Sequence, residues 1–360
     1  MKKGNIKRRW LSALLICALL FTAVGCAGTA GGKTSSKKSD LIDFSIGYLP
    51  STGHLLYFVA KDKGFFEEEG LNADLVLFAE NNSMLTALEN KKLQAGALGS
   101  TNSIQYISQG HKVTIFGGAM TEGHALVVKK EVVEGLGDKA DLSALKGKRI
   151  ADTFGGTADV VFRQGLIDAG LDPEKDVELV SAESGAAAFA ALKNDEIDGA
   201  ILFTPFRKLA EDAGYKILSY SGEVEGFGHH PCCRQVAETA ELEKNPDTYV
   251  KFLRALIKAY KFYQENEEET VDIIANYVDI DKDILKAETY GKYISSNPDP
   301  DRASTVTFYD AMVNLKYVEP FDIEASINTE LYEKALASII KEKPEDKVYQ
   351  SLVKYHEENK

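Results

Sequence analysis

Apolar and polar positions along this chain fall into three regimes. The basic residues Lys2, Lys3, Lys7, Arg8 and Arg9 precede an apolar run from Trp10 to Val24, which is too short for a stable membrane anchor. Ala27 to Asp40 is rich in Gly, Ser, Thr and Lys and offers nothing from which to build a core, the composition of a flexible tether. From Ile42 onward, short apolar runs alternate with helical periods. Phe44–Tyr48 reads as a strand, His54–Lys63 as a helix broken at Gly64 and Gly70, and Asp74–Phe78 as the next strand. Asn82 can cap a helix over Met84–Lys91; Ala95–Leu98 is strand, Asn102–Ser108 helix, and Val113–Phe116 strand again.

The same grammar restarts after Leu145-Lys146-Gly147-Lys148. Arg149–Thr153 predicts a strand, Phe154-Gly155-Gly156-Thr157 leads into a helix ending near Gly170, and Val177–Val180, Ala186–Leu192 and Ala200–Phe203 complete strand, helix and strand. Strands this close, separated by helices, indicate parallel βαβ units. From Asn245 the pattern is almost wholly helical, opening with Pro246-Asp247 and a long amphipathic helix through Tyr263. A helix-only tail packs most simply on sheets already built. The expected fold class is α/β, with two lobes and helical packing material.

Composition refines this picture. At 360 residues, 44% hydrophobic and 27% charged, the chain has room for two domains. The formal charge of −13 becomes −18 without the five basic residues of 1–25, a balance that argues against nucleic acid as a partner. Of four cysteines, only Cys232 and Cys233 lie in the globular part. Adjacent Cα atoms are about 3.8 Å apart and a relaxed disulfide wants roughly 4.4–6.8 Å, so a bond between them is strained. On a strand their side chains point to opposite faces.

Two resemblances follow from the residues. Ala23-Val24-Gly25-Cys26, behind the basic and apolar segments, resembles the lipobox of a bacterial lipoprotein, with alanine where leucine is commoner. It implies a signal peptide over 1–25, a lipid on Cys26, a tether over 26–41, and a location on the extracytoplasmic face of the cell membrane. Farther on, Ile46-Gly47-Tyr48-Leu49-Pro50 and Ala60-Lys61-Asp62-Lys63-Gly64-Phe65-Phe66-Glu67-Glu68-Glu69-Gly70-Leu71 open a second likeness. With Ala144-Leu145-Lys146-Gly147-Lys148-Arg149-Ile150, Asp195-Glu196-Ile197-Asp198-Gly199-Ala200 and Asn245-Pro246-Asp247 they resemble solute-binding proteins of ABC importers. The likeness is to the nitrate/sulfonate/taurine group and to the binders and synthases of the thiamine pyrimidine precursor. It implies a bilobal periplasmic-binding-protein-like (type II) fold. Lobe one is expected over 43–126 plus 232–342 and lobe two over 127–231, with crossings near Ala125–Lys129 and Pro231–Val236 and a helical tail over 343–360.

Ligands of open α/β sheets sit beyond the carboxyl ends of strands, where helix N-termini offer free amides. Phe154, Gly155, Gly156 and Thr157 form one such place, and Ser100, Thr101 and Asn102 after Gly99 form another; each also reads as a plain tight turn. Ser184 reads rather as a helix cap. Tyr48, Leu49 and His54 follow the first strand, Thr121 with Glu122 and His124 follows the fourth, and Phe203 and Thr204 end the last strand of lobe two. Arg163 reads as a solvated charge.

Gly228-His229-His230-Pro231-Cys232-Cys233-Arg234 is the odd feature: hinge packing, ligand contact through His230 and Cys232, and a soft-cation site are all open. In the pyrimidine synthases a cysteine-rich run here is associated with iron, but this chain keeps two of those cysteines and lacks the rest of the pattern. The expected function is capture of a small sulfonate-, taurine- or nitrate-like anion, or a pyrimidine-type heteroaromatic, for an ABC permease, by a monomer without cofactor or catalysis. The alternative is an iron-dependent pyrimidine-synthase-like enzyme using His54 or His124 with the cysteine pair.

Overall fold

The computed structural model describes residues 41–137 and 141–360. Cys26, the signal peptide and most of the tether lie outside the described residues. In the first half of the fold the chain runs β1 (Ile42–Tyr48), α1 (Leu55–Asp62), α2 (Phe65–Glu68), β2 (Leu71–Leu77), α3 (Asn81–Glu89), β3 (Ala95–Gly99), α4 (Ser100–Ser108) and β4 (Val113–Gly118). Two short strands follow, β5 (Met120–Glu122) and β6 (His124–Val128). Next come β7 (Arg149–Asp152), α5 (Thr157–Asp168), β8 (Glu178–Ser181), α6 (Gly185–Lys193), β9 (Gly199–Phe203), α7 (Phe206–Asp212) and β10 (Lys216–Tyr220). The remainder is β11 (Cys233–Glu238), α8 (Thr239–Lys244), α9 (Pro246–Glu265), α10 (Glu267–Ile274), α11 (Lys282–Tyr290), β12 (Ile294–Ser296), α12 (Arg302–Asn314), α13 (Glu330–Glu342) and α14 (Lys347–Asn359).

Among the described residues the strands form two five-stranded sheets, ordered β2-β1-β3-β11-β4 and β10-β6-β9-β7-β8, and a β12-β5 ribbon. β1 is parallel to β2 and β3, and β7 to β8 and β9, as βαβ units require. Each sheet also holds one strand running the other way: β11 lies antiparallel between β3 and β4, and β6 between β9 and β10. These two carry the chain into each sheet from the other, which local alternation cannot show. Ala125–Lys129, where the resemblance put a crossing, is largely β6, inside the second sheet; the residues that pass between the sheets are Ala119–Gly123.

The helical tail packs as its periodicity predicts. Tyr249, Phe252, Leu253, Leu256 and Ile257 of α9 join Phe44, Phe58 and Phe66 in one core, closed by Leu331 and Leu336 of α13 and Leu352 of α14. Residues 343–360 are therefore built into that core through α14. α12 does something different. Its Phe308 and Met312 share a cluster with Val161 and Phe162 of α5 and with Ile104 of α4, so this helix packs against helices of both sheets. Gly118 shows how tightly the 297–301 segment crosses over β4: a Cβ there would stand 2.0 Å from the carbonyl oxygen of Asp299 and 2.4 Å from that of Asn297.

Candidate functional site

The register of β11 builds the site. Cys233 pairs with Gly99 at the carboxyl end of β3, so Cys232 lies just beyond that end, opposite the first turn of α4. Its carbonyl accepts the Ser100 amide at 2.9 Å and the Thr157 hydroxyl at 3.4 Å. Ser100 opens α4 on the first sheet and Thr157 opens α5 on the second. Two helix N-termini, each with partial positive charge, thus face one main-chain oxygen from opposite sides of the seam.

Polar atoms around this seam are buried without hydrogen-bond partners among the described residues: Ser100 Oγ, Thr101 Oγ1, His54 Nδ1, His124 Nδ1 and both ring nitrogens of His230. The His124 and His230 rings lie 5.9 Å apart, and His230 also faces Phe308 and Phe227. Burial lowers all three imidazoles. His54 falls to about 4 and His124 to about 3, the latter helped by the Arg207 charge. His230 is driven well below its ordinary value by burial, then by His124 and Arg234. These rings are neutral at physiological pH, each with one donor and one acceptor.

The nearby arginines are paired with carboxylates, although Arg234 Nη2 is buried without a hydrogen-bond partner among the described residues. Arg207 Nε donates to Glu288 at 2.6 Å, Arg234 pairs with Asp301 at 3.6 Å, and Arg163 Nε donates to Asp159 at 2.5 Å. Arg163 is thus not the solvated charge expected: its side chain also reaches Glu174 and lies over the Phe154 ring. In the first turn of α5, Asp159 accepts the Gly155 amide at 2.7 Å and the Tyr317 hydroxyl. Neighbouring Asp152 is buried and held well above the usual carboxylate range, first by desolvation and then by Asp159.

Ser100, Thr157 and Cys232 come together at the seam carbonyl, with Thr101 beside Ser100 at the start of α4 and Gly155 and Gly156 shaping the turn before Thr157. Gly155 has φ +77, which a residue with a side chain adopts only under strain. His230 lies two residues upstream, its carbonyl accepting the Glu122 amide at 3.0 Å. His54 is buried in the short turn after β1, where the Cβ position of Gly53 approaches Met120, a neighbour of Cys232.

The other candidates stand apart from the Cys232 carbonyl contacts. Asn102 Oδ1 accepts from Asn81, and the Thr121 hydroxyl meets Ser295 at 2.9 Å across the ribbon. Tyr48 packs edge-on against Phe58 and Tyr277, and Leu49 packs on the core under α3. Phe154 and Phe203 are exposed, Phe203 edge-on to Phe206, while Thr204 is buried. Ser184 caps α6, accepting the Ala187 amide at 3.1 Å. Asn82 is not a cap: α3 begins one residue earlier, and the Asn82 side chain accepts from Tyr106.

Cys232 and Cys233 also depart from expectation. Cys232 precedes the strand, so alternation does not separate the pair, and their sulfurs are 3.5 Å apart. Cys232 packs with Met120 and Ile294. Among the described residues no group of three or more His, Cys, Asp or Glu side chains is arranged to hold one metal ion. The side chains the iron-dependent alternative requires are present but do not converge, and they do not fit that centre.

The sequence profile described as the NMT1-like family matches residues 37–278. YtlA of Bacillus subtilis (strain 168), named only as a binding protein, is 30% identical over 81% of this chain and 87% of its own length. The taurine-binding periplasmic protein of Escherichia coli (strain K12) is 29% identical over 58% of this chain and 62% of its own. Among solved structures, the periplasmic aliphatic sulphonate binding protein SsuA from Escherichia coli superposes with a TM-score of 0.68 at 18% identity, covering 81% of this chain and 99% of that one. The fold is that of periplasmic binding proteins.

Proposed function

Since the chain belongs to the NMT1-like family, we propose that it is the extracytoplasmic solute receptor of an ABC importer, capturing a small solute between its two sheets. The observation that carries this reading is the meeting of α4 and α5, one from each sheet, over the Cys232 carbonyl, amid buried hydroxyls and neutral imidazoles without partners. Each lobe is one sheet with its helices, about 42–118 with 233–360 and about 124–220, bounds that move the expected 43–126, 232–342 and 127–231 to the strands that form each sheet. A solute touching both shifts the open–closed equilibrium by its differential affinity for the closed form. Closure then presents a new surface to the permease.

The ligand is a small anion of the sulfonate, taurine or nitrate kind, or a polar heteroaromatic ring of the pyrimidine kind. Helix N-termini favour the first; neutral imidazoles receive the donor–acceptor edge of the second equally well. A few such hydrogen bonds with closure supply the roughly −8 kcal/mol of a micromolar complex. Ser100, Thr101, Thr157, His54 and His230 are the contacts we assign to this role. Cys26 carries the lipid that holds the protein, a monomer, at the outer face of the membrane. Native mass spectrometry of protein purified from its own cells tests the reading: a reproducible adduct of small-molecule mass supports it. A folded protein that never carries one, and takes up none when incubated with taurine, alkanesulfonates, nitrate or aminopyrimidines, overturns it.

A further inference from the structure

The geometry points to the Cys232–Cys233 pair as a reversible oxidation site that loosens the seam between the two lobes. The sulfurs lie 3.5 Å apart, and both thiols are free. Cys233 is the less buried of the two residues, so a small disulfide meets it first and Cys232 is positioned to resolve. The chemistry is asymmetric in the same sense. Its hydrogen bond with Cys232 and the Arg234 charge lower the Cys233 thiol, while the same hydrogen bond and burial raise Cys232 well above its ordinary value.

The oxidant is a small-molecule disulfide of the glutathione type. Cys233 thiolate attacks one of its sulfurs and releases a first thiolate, forming a mixed disulfide. Cys232 then loses its proton and attacks the Cys233 sulfur, releasing the second thiol. Two protein thiols become one S–S bond as the small disulfide is reduced to two thiols.

The structural consequence lies in the peptide between the two cysteines. Bringing the sulfurs from 3.5 Å to a bond of about 2.05 Å, across Cα atoms only about 3.8 Å apart, requires that peptide to twist. Its carbonyl is the one that holds the Ser100 amide and the Thr157 hydroxyl. Oxidation therefore turns the seam acceptor away from both helix N-termini, and the reduced protein is the form that closes. The inference rests on the receptor reading for its oxidising surroundings and for closure of the lobes. Solute titration of the reduced protein tests that reading separately.

Trypsin releases Ile217–Arg234 with both cysteines and no others, so the modification can be read in one peptide. After treatment of the folded protein with oxidised glutathione, this peptide should be lighter by its two thiol hydrogens. Hydrogen exchange of the Ser100 amide should quicken about fivefold, as for loss of one hydrogen bond, and dithiothreitol should reverse both. In Cys232→Ser the reaction should stop at glutathione on Cys233. Two free thiols after treatment, or arrest of the unsubstituted protein at the mixed disulfide, overturn the site. A disulfide that leaves Ser100 exchange unchanged overturns its coupling to the seam.

Discussion

Breaking the buried Arg207–Glu288 pair should cost the folded protein far more than any surface ion pair. Arg207 Nε donates to Glu288 at 2.6 Å, with side chains 4% and 1% exposed, and Glu288 also accepts the Lys208 amide at 3.1 Å. The pair ties α7, on the second sheet, to α11, whose Leu285 is in the first core, and the Glu288 carbonyl accepts the Thr52 hydroxyl at 3.2 Å. Desolvation raises the Glu288 carboxyl although the guanidinium lowers it, so the net worth of the pair is small while the loss of one partner is large. Glu288→Gln leaves a buried guanidinium without its counter-charge, and about 3–5 kcal/mol of stability should be lost. The double substitution Arg207→Met/Glu288→Leu should recover most of that, within about 1 kcal/mol of the unsubstituted protein or above it. Urea unfolding followed by circular dichroism of the unsubstituted protein, Glu288→Gln and the double variant measures both quantities. A Glu288→Gln loss below about 1 kcal/mol, the range of exposed pairs, would refute the assignment of this pair as a buried tie between the two halves.

Three further outcomes are expected. Ser100→Ala removes a buried hydroxyl that has no partner among the described residues, so stability without solute should hold or rise, while solute affinity falls about fivefold; a loss of stability above about 1 kcal/mol would place that hydroxyl in the framework instead. Gly118→Ala drives a Cβ into the Asp299 carbonyl 2.0 Å away and should lower stability by about 1–3 kcal/mol or more in the same unfolding assay. His356 contacts Asp299 at 2.8 Å and Glu333 at 3.2 Å; burial alone would lower its pKa, but the two carboxylates prevail and raise it. Its folded value lies above the unfolded one, so its contribution is full below the ordinary 6.5 and is lost as pH rises through the folded value. The melting temperature should fall over that window, and His356→Gln should flatten the fall.

Much of this architecture is legible in the chain. Runs such as Ala95–Gly99, bounded by polar helices and glycines, announce parallel units, and the spacing of Phe252, Leu253 and Leu256 announces the packing face of α9. The elements that escape pattern are those whose place depends on distant partners. β6 is an apolar run like any other, yet it runs antiparallel between β9 and β10; β12 has three residues and exists as a partner of β5. The site divides in the same way. Glycine and hydroxyl at a helix start identify Ser100 and Thr157 locally. That Cys232 presents its carbonyl to both depends on the β11 register, set 75 residues from Thr157. Strand alternation misplaced the cysteine pair because the strand begins at Cys233.

Titration calorimetry of the reduced protein with taurine, alkanesulfonates, nitrate and aminopyrimidines is the most direct measure of whether two halves close on a guest. One member of that set should bind at one site with micromolar or tighter affinity, and Thr157→Val should weaken it about fivefold, the worth of one hydrogen bond. Heat-silent titrations across the whole set, by a protein that unfolds cooperatively, would contradict the account.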